Sequence, residues 1–381
     1  MGTLHSDATL GPGLVPRQLA QLPWAIIGLV TLLGLFDLLV LYSAAGGHAQ
    51  PWAISQGVRF FAFLAMAIAL SRVPESFWAM GAFPVYILIV AMLVGVELLG
   101  AVAGGSQRWL DLGFIRLQPS ELMKPAIVLV LARFYAGLPA AMTESWRALV
   151  PAGALIVVPV GLVLLQPDLG TGLAITFGGI VTVFLAGLPA RWFAGGAVAA
   201  AVAAPLAYFF ALHDYQRQRV LTFLDPESDP LGTGYHITQS KIAIGSGGIF
   251  GKGFGNGSQS HLDYLPEPHT DFVFATMAEE WGLIGGLFTL LVFGIVLRWG
   301  ASVARRAPDR FTRLLAGGLT ATIFFYAAIN LSMVMGLAPV VGIPLPFMSH
   351  GGTSMMTNMI CIGSLMMIER WTRREGSSRL G

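Results

Sequence analysis

Residues 23 to 45 read PWAIIGLVTLLGLFDLLVLYSAA, an almost unbroken apolar run with a single acid, Asp37, near its middle. A helix needs about 20 apolar residues to cross the hydrocarbon core of a bilayer, and this run is long enough. It also exceeds the apolar core of a secretory signal peptide, which has roughly 7 to 15 residues. We therefore interpret it as a retained first membrane span.

The composition of the whole chain points to the same class of protein. Of the 381 residues, 55% are hydrophobic and 11% are charged, against roughly 25% charged residues in a soluble domain. The formal net charge is only +2, which excludes the basic field that a nucleic-acid partner requires. The single cysteine, Cys361, excludes an intramolecular disulfide and a cysteine-based metal cluster.

About ten segments are apolar and long enough to be spans. Their runs are continuously apolar rather than alternating, which favours helices over the strands of a barrel. The sequence predicts an all-α integral membrane protein with about ten transmembrane helices, in a single domain over residues 1–381, with one long outer-face loop that carries short helices. The predicted spans lie near 23–45, 54–71, 77–99, 119–136, 148–165, 170–187, 191–212, 272–297, 314–335 and 350–369.

The distribution of basic residues predicts the orientation of these spans. An even number of spans puts both termini on one side. If that side is the cytoplasm, 14 of the 22 lysines and arginines fall inside, as the positive-inside rule requires. Residues 1–22 and 370–381 are then cytoplasmic, and residues 213–271 form the long outer loop.

The long loop is not composed like a disordered tail. Its stretch TGYHITQSKIAIGSGGIFGKGFG, residues 233–255, contains several apolar anchors that a solvated segment lacks. We predict a short helix near 235–243 on the outer membrane surface, followed by a glycine-rich turn. No strand precedes these glycines, so tight turns are favoured over a nucleotide phosphate loop.

Three acids stand where burial of charge is expensive. Glu121 and Lys124 are three residues apart, hence on one helix face, and form either a neutralising ion pair or part of a site. Asp168 lies between two apolar runs, where an acid caps a helix N-terminus or serves chemistry. Asp271, in the stretch PEPHTDFVF at 266–274, offers the same two alternatives at the start of the eighth span.

Two further stretches lie at the predicted outer face: one is polar, and the other interrupts the helix pattern. Residues 104–118, GGSQRWLDLGFIRLQ, carry Arg108 and Arg116, and residues 330–354 contain several prolines and a glycine pair that interrupt the helix pattern. Solvated loop charges and an ordinary re-entrant turn are the simple explanations. However, Glu121, Lys124, Asp168, Lys241 and Asp271 all map to the outer boundary. A transporter more often holds its charges near the midplane, so an interfacial enzyme that acts on a lipid-borne substrate is favoured.

The chain resembles the SEDS family (shape, elongation, division and sporulation) in several motifs that follow in the family's order. They are RWLDLGFIRLQPSELMK, QPDLGTG, the stretch from GYHITQSK to PEPHTDF, and GIPLPFMSHGGTSMM. The resemblance implies a ten-span peptidoglycan glycosyltransferase that polymerises lipid II at the outer face of the bacterial cytoplasmic membrane. It also implies a class B penicillin-binding protein and other elongation-complex membrane proteins as partners. His350, in place of the usual Tyr, and Pro268 depart from the family pattern.

The same resemblance assigns roles to residues. Asp271 is the implied catalytic acid, with Glu121, Lys124 and Asp168 in support. A carboxylate that is partly removed from water would accept the proton of the attacking sugar hydroxyl, and cations or a Mg²⁺ ion held by Asp271 would stabilise the departing pyrophosphate. The candidate cations are, in order, Lys241, Lys124, Arg108 and Arg116. Lys124 is instead unavailable to the substrate if it forms an ion pair with Glu121.

The remaining expected substrate contacts are Gln239, Ser240, His269 and Ser349. Two other functions stay open: a lipid II flippase and a noncatalytic scaffold for the penicillin-binding protein. The division branch of the family is a further alternative to the elongation branch, which the run GSQSHLDYLPEPHTDF resembles more.

Overall fold

The computed structural model of the protein describes residues 22–103, 106–111, 113, 116–210, 217, 221–222, 225, 232–262, 264–265 and 267–378. These residues include every predicted span except positions 211–212 of the seventh. Most of the predicted cytoplasmic N-terminal segment and much of the first half of the long loop lie outside them.

Helices dominate, and each predicted span corresponds to one of them. The helices are α1 Trp24–Ala44, α2 Ala53–Leu70, α3 Glu75–Leu99, α4 Pro119–Ala136, α5 Trp146–Leu165, α6 Leu169–Leu185, α7 Ala190–Phe210, α8 Thr233–Ser246, α9 Ser258–His261, α10 Val273–Arg306, α11 Arg310–Val334 and α12 Gly352–Ser378. Within the described residues, six helices are long and apolar enough to cross a membrane: α1, α2, α3, α5, α10 and α11. The predicted fold class is confirmed, and α8 confirms the short helix of the long loop.

Helix α4 lies inside the bundle. It packs against α3, α5, α6, α11 and α12, and most of its residues are buried, including Glu121 and Lys124. Around it, α2 packs on α12, and α10 packs on both α1 and α11. The charges of α4 therefore face protein rather than lipid, which is how ionisable groups are tolerated within a membrane.

A small antiparallel ribbon replaces part of the predicted outer loop at 104–118. Its strands are β1 Ala101–Ala103, β2 Ser106–Asp111 and β3 Arg116–Leu117. Strands this short leave little periodic signal in a sequence. The register places Asp111 directly opposite Arg116, so the ribbon fixes where that arginine stands.

Helix α10 is broken at Gly282, which has φ 63° and ψ −157°. The glycine-rich turn fills the break with its own backbone: Leu283 N–H donates to the Gly248 carbonyl at 2.9 Å, and Lys252 N–H donates to the Glu279 carbonyl at 3.0 Å. A broken helix at membrane depth requires such substitute partners. The turn interpretation of these glycines is therefore confirmed.

The two acids next to the break, Glu279 and Glu280, are both buried. Glu279 pairs with Lys252 at 2.6 Å and accepts a hydrogen bond from the Gln259 N–H at 3.0 Å. Glu280 lies 3.3 Å from His261 Nε2. These contacts attach the long loop to α10, so the acids have a structural role that the sequence did not assign.

Candidate active site

Asp271 lies at the entrance to α10, one residue before the N-cap position, which is occupied by Phe272. Its side chain is partly exposed. Its backbone carbonyl accepts a hydrogen bond from Asn330 Nδ2 at 3.0 Å. Gly342, with φ +67°, passes so close that a Cβ there would stand 3.5 Å from Asp271 Oδ2. The acid is thus positioned by α11 and by the loop between α11 and α12.

That loop also fixes the backbone just before Asp271. Ser349 Oγ donates to the Thr270 carbonyl at 2.7 Å and accepts from the Leu345 N–H at 2.7 Å. His350 N–H donates to the His269 carbonyl at 2.9 Å. Ser349, predicted as a substrate contact, is only 4% exposed and serves here to hold two loops together.

Residues of α1 and α2 form hydrogen bonds that hold the loop before α12 in place. Gln56 Nε2 donates to the Ser349 carbonyl at 3.0 Å and to Asp37 Oδ2 at 3.3 Å. Asp37 therefore has the inward-facing partner that its place in an apolar span demands. The ring of His269 stacks on Trp52, with 4.0 Å between centroids and 8° between planes.

A cavity of about 550 Å³ opens next to this loop pair, lined by Arg59, Phe63, Trp109, Arg116, His350, Gly351, Gly352, Thr353 and Met356. Two of these lining residues are arginines and none is acidic. The Arg116 side chain is 69% exposed and pairs with Asp111 at 3.3 Å. Exposed pairs of this kind are weak, so Arg116 is able to exchange its partner for a ligand oxygen.

His350 connects the cavity with the loop that carries Asp271. Its Nε2 atom lies 3.0 Å from Ser55 Oγ and 3.3 Å from an Arg59 guanidinium nitrogen. Because arginine only donates, Nε2 accepts and Nδ1 carries the proton. Burial, followed by the neighbouring Arg59 and His269, lowers the pKa of His350 to about 4. The imidazole is therefore neutral near pH 7 and leaves the positive charge to the arginines.

Arg59 was not predicted as a site residue. The signal was present, since a lone arginine in the apolar run SQGVRFFAFL of α2 must find a polar environment. What the sequence did not reveal is that α2 and α12 pack together. This packing brings Arg59 to His350 and, across the cavity, to Arg116.

Glu121 and Lys124 form a closed pair, by which we mean that both side chains are buried and that protein groups contact their charged atoms. Lys124 Nζ lies 2.6 Å from Glu121 Oε1, and the Tyr326 hydroxyl donates to Glu121 Oε2 at 2.5 Å. The ammonium also stands 4.3 Å above the Tyr326 ring, within the range of a cation–π interaction. The predicted ion pair is confirmed, and Lys124 is occupied by Glu121 rather than open to a ligand.

Asp168 caps α6, as one of its two interpretations predicted. It accepts from the Thr171 N–H at 3.1 Å and from Gln118 Nε2 at 3.2 Å. Arg108 secures the same turn by donating to the Gln166 carbonyl at 2.9 Å and to the Pro167 carbonyl. Both charged groups hold the start of α6 next to the start of α4.

The predicted substrate contacts on α8 differ in accessibility. Ser240 is buried, and its Oγ donates to the Val334 carbonyl at 2.8 Å, which ties α8 to α11. Gln239 is partly exposed. Lys241 is exposed, and its aliphatic chain passes over Gly336. Among the described residues it has no ion pair.

Helix α11 links the two groups of acids. Tyr326 holds Glu121, and Asn330, one turn later, holds the Asp271 carbonyl. The charges predicted to converge therefore form two sets that differ in accessibility: a closed set of the buried Glu121, Lys124 and Asp168, and an open set of the partly exposed Asp271 and the exposed Lys241. Within the described part of the chain, no group of three or more His, Cys, Asp or Glu side chains has the arrangement of a metal site.

Comparisons with known proteins agree on one family. Residues 19–374 match the profile of the FtsW, RodA and SpoVE cell cycle proteins. The chain is 43% identical to peptidoglycan glycosyltransferase MrdB of Escherichia coli K12, over 91% of this chain and 92% of that protein. It is 35% identical to a probable peptidoglycan glycosyltransferase FtsW of Coxiella burnetii, over 91% and 95% of the two chains.

Solved structures show the same likeness in three dimensions. One, described as a peptidoglycan synthase complex that coordinates polymerization and crosslinking, matches with a TM-score of 0.80 and 32% identity over 92% of this chain and 98% of that one. The rod shape determining protein RodA of Thermus thermophilus matches with a TM-score of 0.70 and 29% identity over 93% and 98%. The chain therefore belongs to the FtsW/RodA/SpoVE family, the SEDS proteins.

Proposed function

We propose that this chain is a peptidoglycan glycosyltransferase that polymerises lipid II into glycan strands at the outer face of a bacterial inner membrane. One observation carries the proposal: a partly exposed acid, Asp271, is held by α11 and by the loop before α12, and the same loop borders a cavity with two arginines. A base and a cationic cavity are the two elements that glycosyl transfer from a pyrophosphate donor requires.

Asp271 acts as the general base in this proposal. The attacking sugar 4-hydroxyl must lose its proton as it bonds to the anomeric carbon, and a positioned carboxylate accepts that proton. The backbone around Asp271 is tied to Asn330, Ser349 and His350. Such ties reduce the reorganisation needed to reach the reactive geometry.

Arg59 and Arg116 bind the undecaprenyl pyrophosphate that leaves. Guanidinium groups match phosphate oxygens in a two-pronged geometry, and they stabilise the negative charge that develops on the leaving group. Lys241, exposed on α8, is a third cation for the same role, whereas Glu121 holds Lys124 and backbone carbonyls hold Arg108. A Mg²⁺ ion, if bound, would take Asp271 as its carboxylate ligand and neutralise phosphate charge.

We further propose that the chain belongs to the elongation branch of the family, that of RodA. Its proposed partner is a class B penicillin-binding protein. Identity to MrdB, at 43%, exceeds identity to the FtsW of Coxiella burnetii, at 35%. The solved complex that the chain resembles couples polymerization to crosslinking. Crosslinking is the reaction that a transpeptidase partner would supply.

The test is glycan polymerisation from lipid II by the purified protein with its cognate penicillin-binding protein. We expect Asp271→Asn to lower the rate by roughly 10²- to 10⁴-fold at an unchanged melting temperature, because Asn has nearly the size of Asp and the N-cap of α10 is Phe272 rather than Asp271. Activity of Asp271→Asn close to wild type would remove Asp271 from the chemistry. A noncatalytic scaffold would tolerate Asp271→Ala, and a flippase would move lipid II between leaflets without polymerising it.

A further inference from the structure

A second cavity lies at the other end of the bundle, where α2 ends, α3 begins and α12 makes its last turns. Helix α2 starts beside the Trp52–His269 stack and contains 18 residues. At about 1.5 Å per residue, its far end is roughly 27 Å from the Asp271 loop. The cavity has a volume of about 280 Å³ and is lined by Arg72, Val73, Pro74, Glu75, Met367, Arg370, Trp371 and Arg374.

The lining has three arginines and one carboxylate, that of Glu75. Arg370 and Arg374 are four residues apart on α12 and hence share a face. Arg370 also donates to the Arg72 carbonyl at 2.8 Å, which places its guanidinium at the end of α2. Guanidinium groups gathered around one small cavity repel one another, and a bound anion relieves that repulsion.

Glu369 of α12, which precedes Arg370, is engaged elsewhere. Glu369 Oε1 accepts from Arg373 at 2.6 Å, and its Oε2 accepts from Trp299 Nε1 at 2.8 Å. Both oxygens therefore serve contacts outside the cavity. Among the residues that line the cavity, three arginines stand against one carboxylate, that of Glu75.

The shape of the cavity suits a lipid headgroup. Met367, 1% exposed, contributes an apolar surface, and Trp371 adds the type of side chain that is enriched at the membrane–water interface. The volume equals that of about nine water molecules at roughly 30 Å³ each, which is sufficient for a phosphate group. Basic pockets between transmembrane helices at this level are suited to anionic lipids.

We infer that this cavity binds the phosphate group of an anionic phospholipid, such as phosphatidylglycerol or cardiolipin, in the leaflet opposite Asp271. Arg72, Arg370 and Arg374 contact the phosphate oxygens, and Trp371 lies at the level of the headgroups. Lipid binding there requires only that the bundle spans a membrane. It does not depend on the reaction proposed for Asp271.

The test is native mass spectrometry of the delipidated full chain in neutral detergent, titrated separately with phosphatidylglycerol, cardiolipin, zwitterionic phosphatidylethanolamine and inorganic phosphate. Arg72→Gln combined with Arg374→Gln removes two cavity charges. Arg305→Gln combined with Arg313→Gln is the matched control, because both arginines are exposed at the same end of the bundle and outside the cavity.

We expect the cavity variant to bind the anionic lipids more weakly, by roughly fivefold for each arginine removed, which corresponds to about 1 kcal/mol. The control variant and wild type should bind alike, with phosphatidylethanolamine weaker in both. Equal anionic-lipid affinity in the two double variants would overturn the inference. Inorganic phosphate that displaces the lipid from wild type would overturn the lipid assignment in favour of a soluble phosphate. If the double variant fails to fold, Arg374→Gln alone, at an exposed side chain, decides the question.

Discussion

The Glu121–Lys124 pair lies inside the helix bundle and the Arg59–Arg116 cavity lies at its edge, and the two differ in how completely their charges are paired within the protein. Lys124 meets one oxygen of Glu121 and Tyr326 meets the other, with Lys124 only 1% exposed. In the cavity, Arg116 pairs with Asp111 of the ribbon, and both side chains are exposed. Intramembrane charge alone therefore does not mark a binding site. Charge that lacks a closed set of partners is the better indicator.

The largest expected effect comes from removing the lysine of the Glu121–Lys124 pair. Lys124→Met leaves a buried Glu121 without its cation and should lower the free energy of unfolding by about 3–5 kcal/mol. Chemical denaturation in detergent micelles measures this loss. The triple variant Glu121→Leu, Lys124→Met and Tyr326→Phe removes every charged or hydrogen-bonding member and should recover most of the stability. A Lys124→Met protein as stable as wild type would contradict the structural role.

The next effect comes from removing charge from the open cavity. Arg59→Gln combined with Arg116→Gln should lower kcat/KM for lipid II by roughly a hundredfold, because a hydrogen bond to a charged group contributes about 1.5–3 kcal/mol. The unfolding free energy should change little. Arg313→Gln, at the opposite end of the bundle, is the control for charge loss, and equal activity in the two proteins would show that the cavity does not bind the donor.

A smaller effect is expected at the tie between the two loops. Ser349→Ala removes a donor to Thr270 and an acceptor for Leu345, so the backbone before Asp271 is held less firmly. We expect kcat to fall roughly tenfold, given about 1 kcal/mol for each neutral hydrogen bond, with KM nearly unchanged. Steady-state kinetics separates the two constants. A rise in KM alone would instead indicate that Ser349 contacts substrate.

The last prediction concerns pH and the stability of the fold rather than the rate of polymerisation. The pKa of His350 is lowered to about 4 in the folded protein, against about 6.5 in an unfolded chain, so the unfolded state binds more protons between these values. Stability contributed by the neutral imidazole is present above pH 6.5 and is lost as the pH falls towards 4. The melting temperature of wild type should decrease over this range more than that of His350→Asn. Parallel curves for the two proteins would contradict the neutral His350.

Local patterns were predictable from the sequence, and contacts between distant segments were not. Apolar runs of about 20 residues identify spans because a bilayer demands that length, and the spacing of Glu121 and Lys124 is enough to predict their pairing. The contact between Tyr326 and Glu121 joins residues 205 positions apart, and that between Arg59 and His350 spans 291. Such contacts follow from helix packing, for which a single sequence has no periodic signal.

The most direct test measures polymerisation per folded molecule in Asp271→Asn and in the triple variant of the closed pair, side by side. If only the charges of the open set take part in the reaction, Asp271→Asn folds normally and polymerises roughly 10²- to 10⁴-fold more slowly. The triple variant folds and retains most of the activity. Activity of Asp271→Asn close to wild type, or a folded triple variant without activity, would contradict the division of the charges into a structural and a catalytic set.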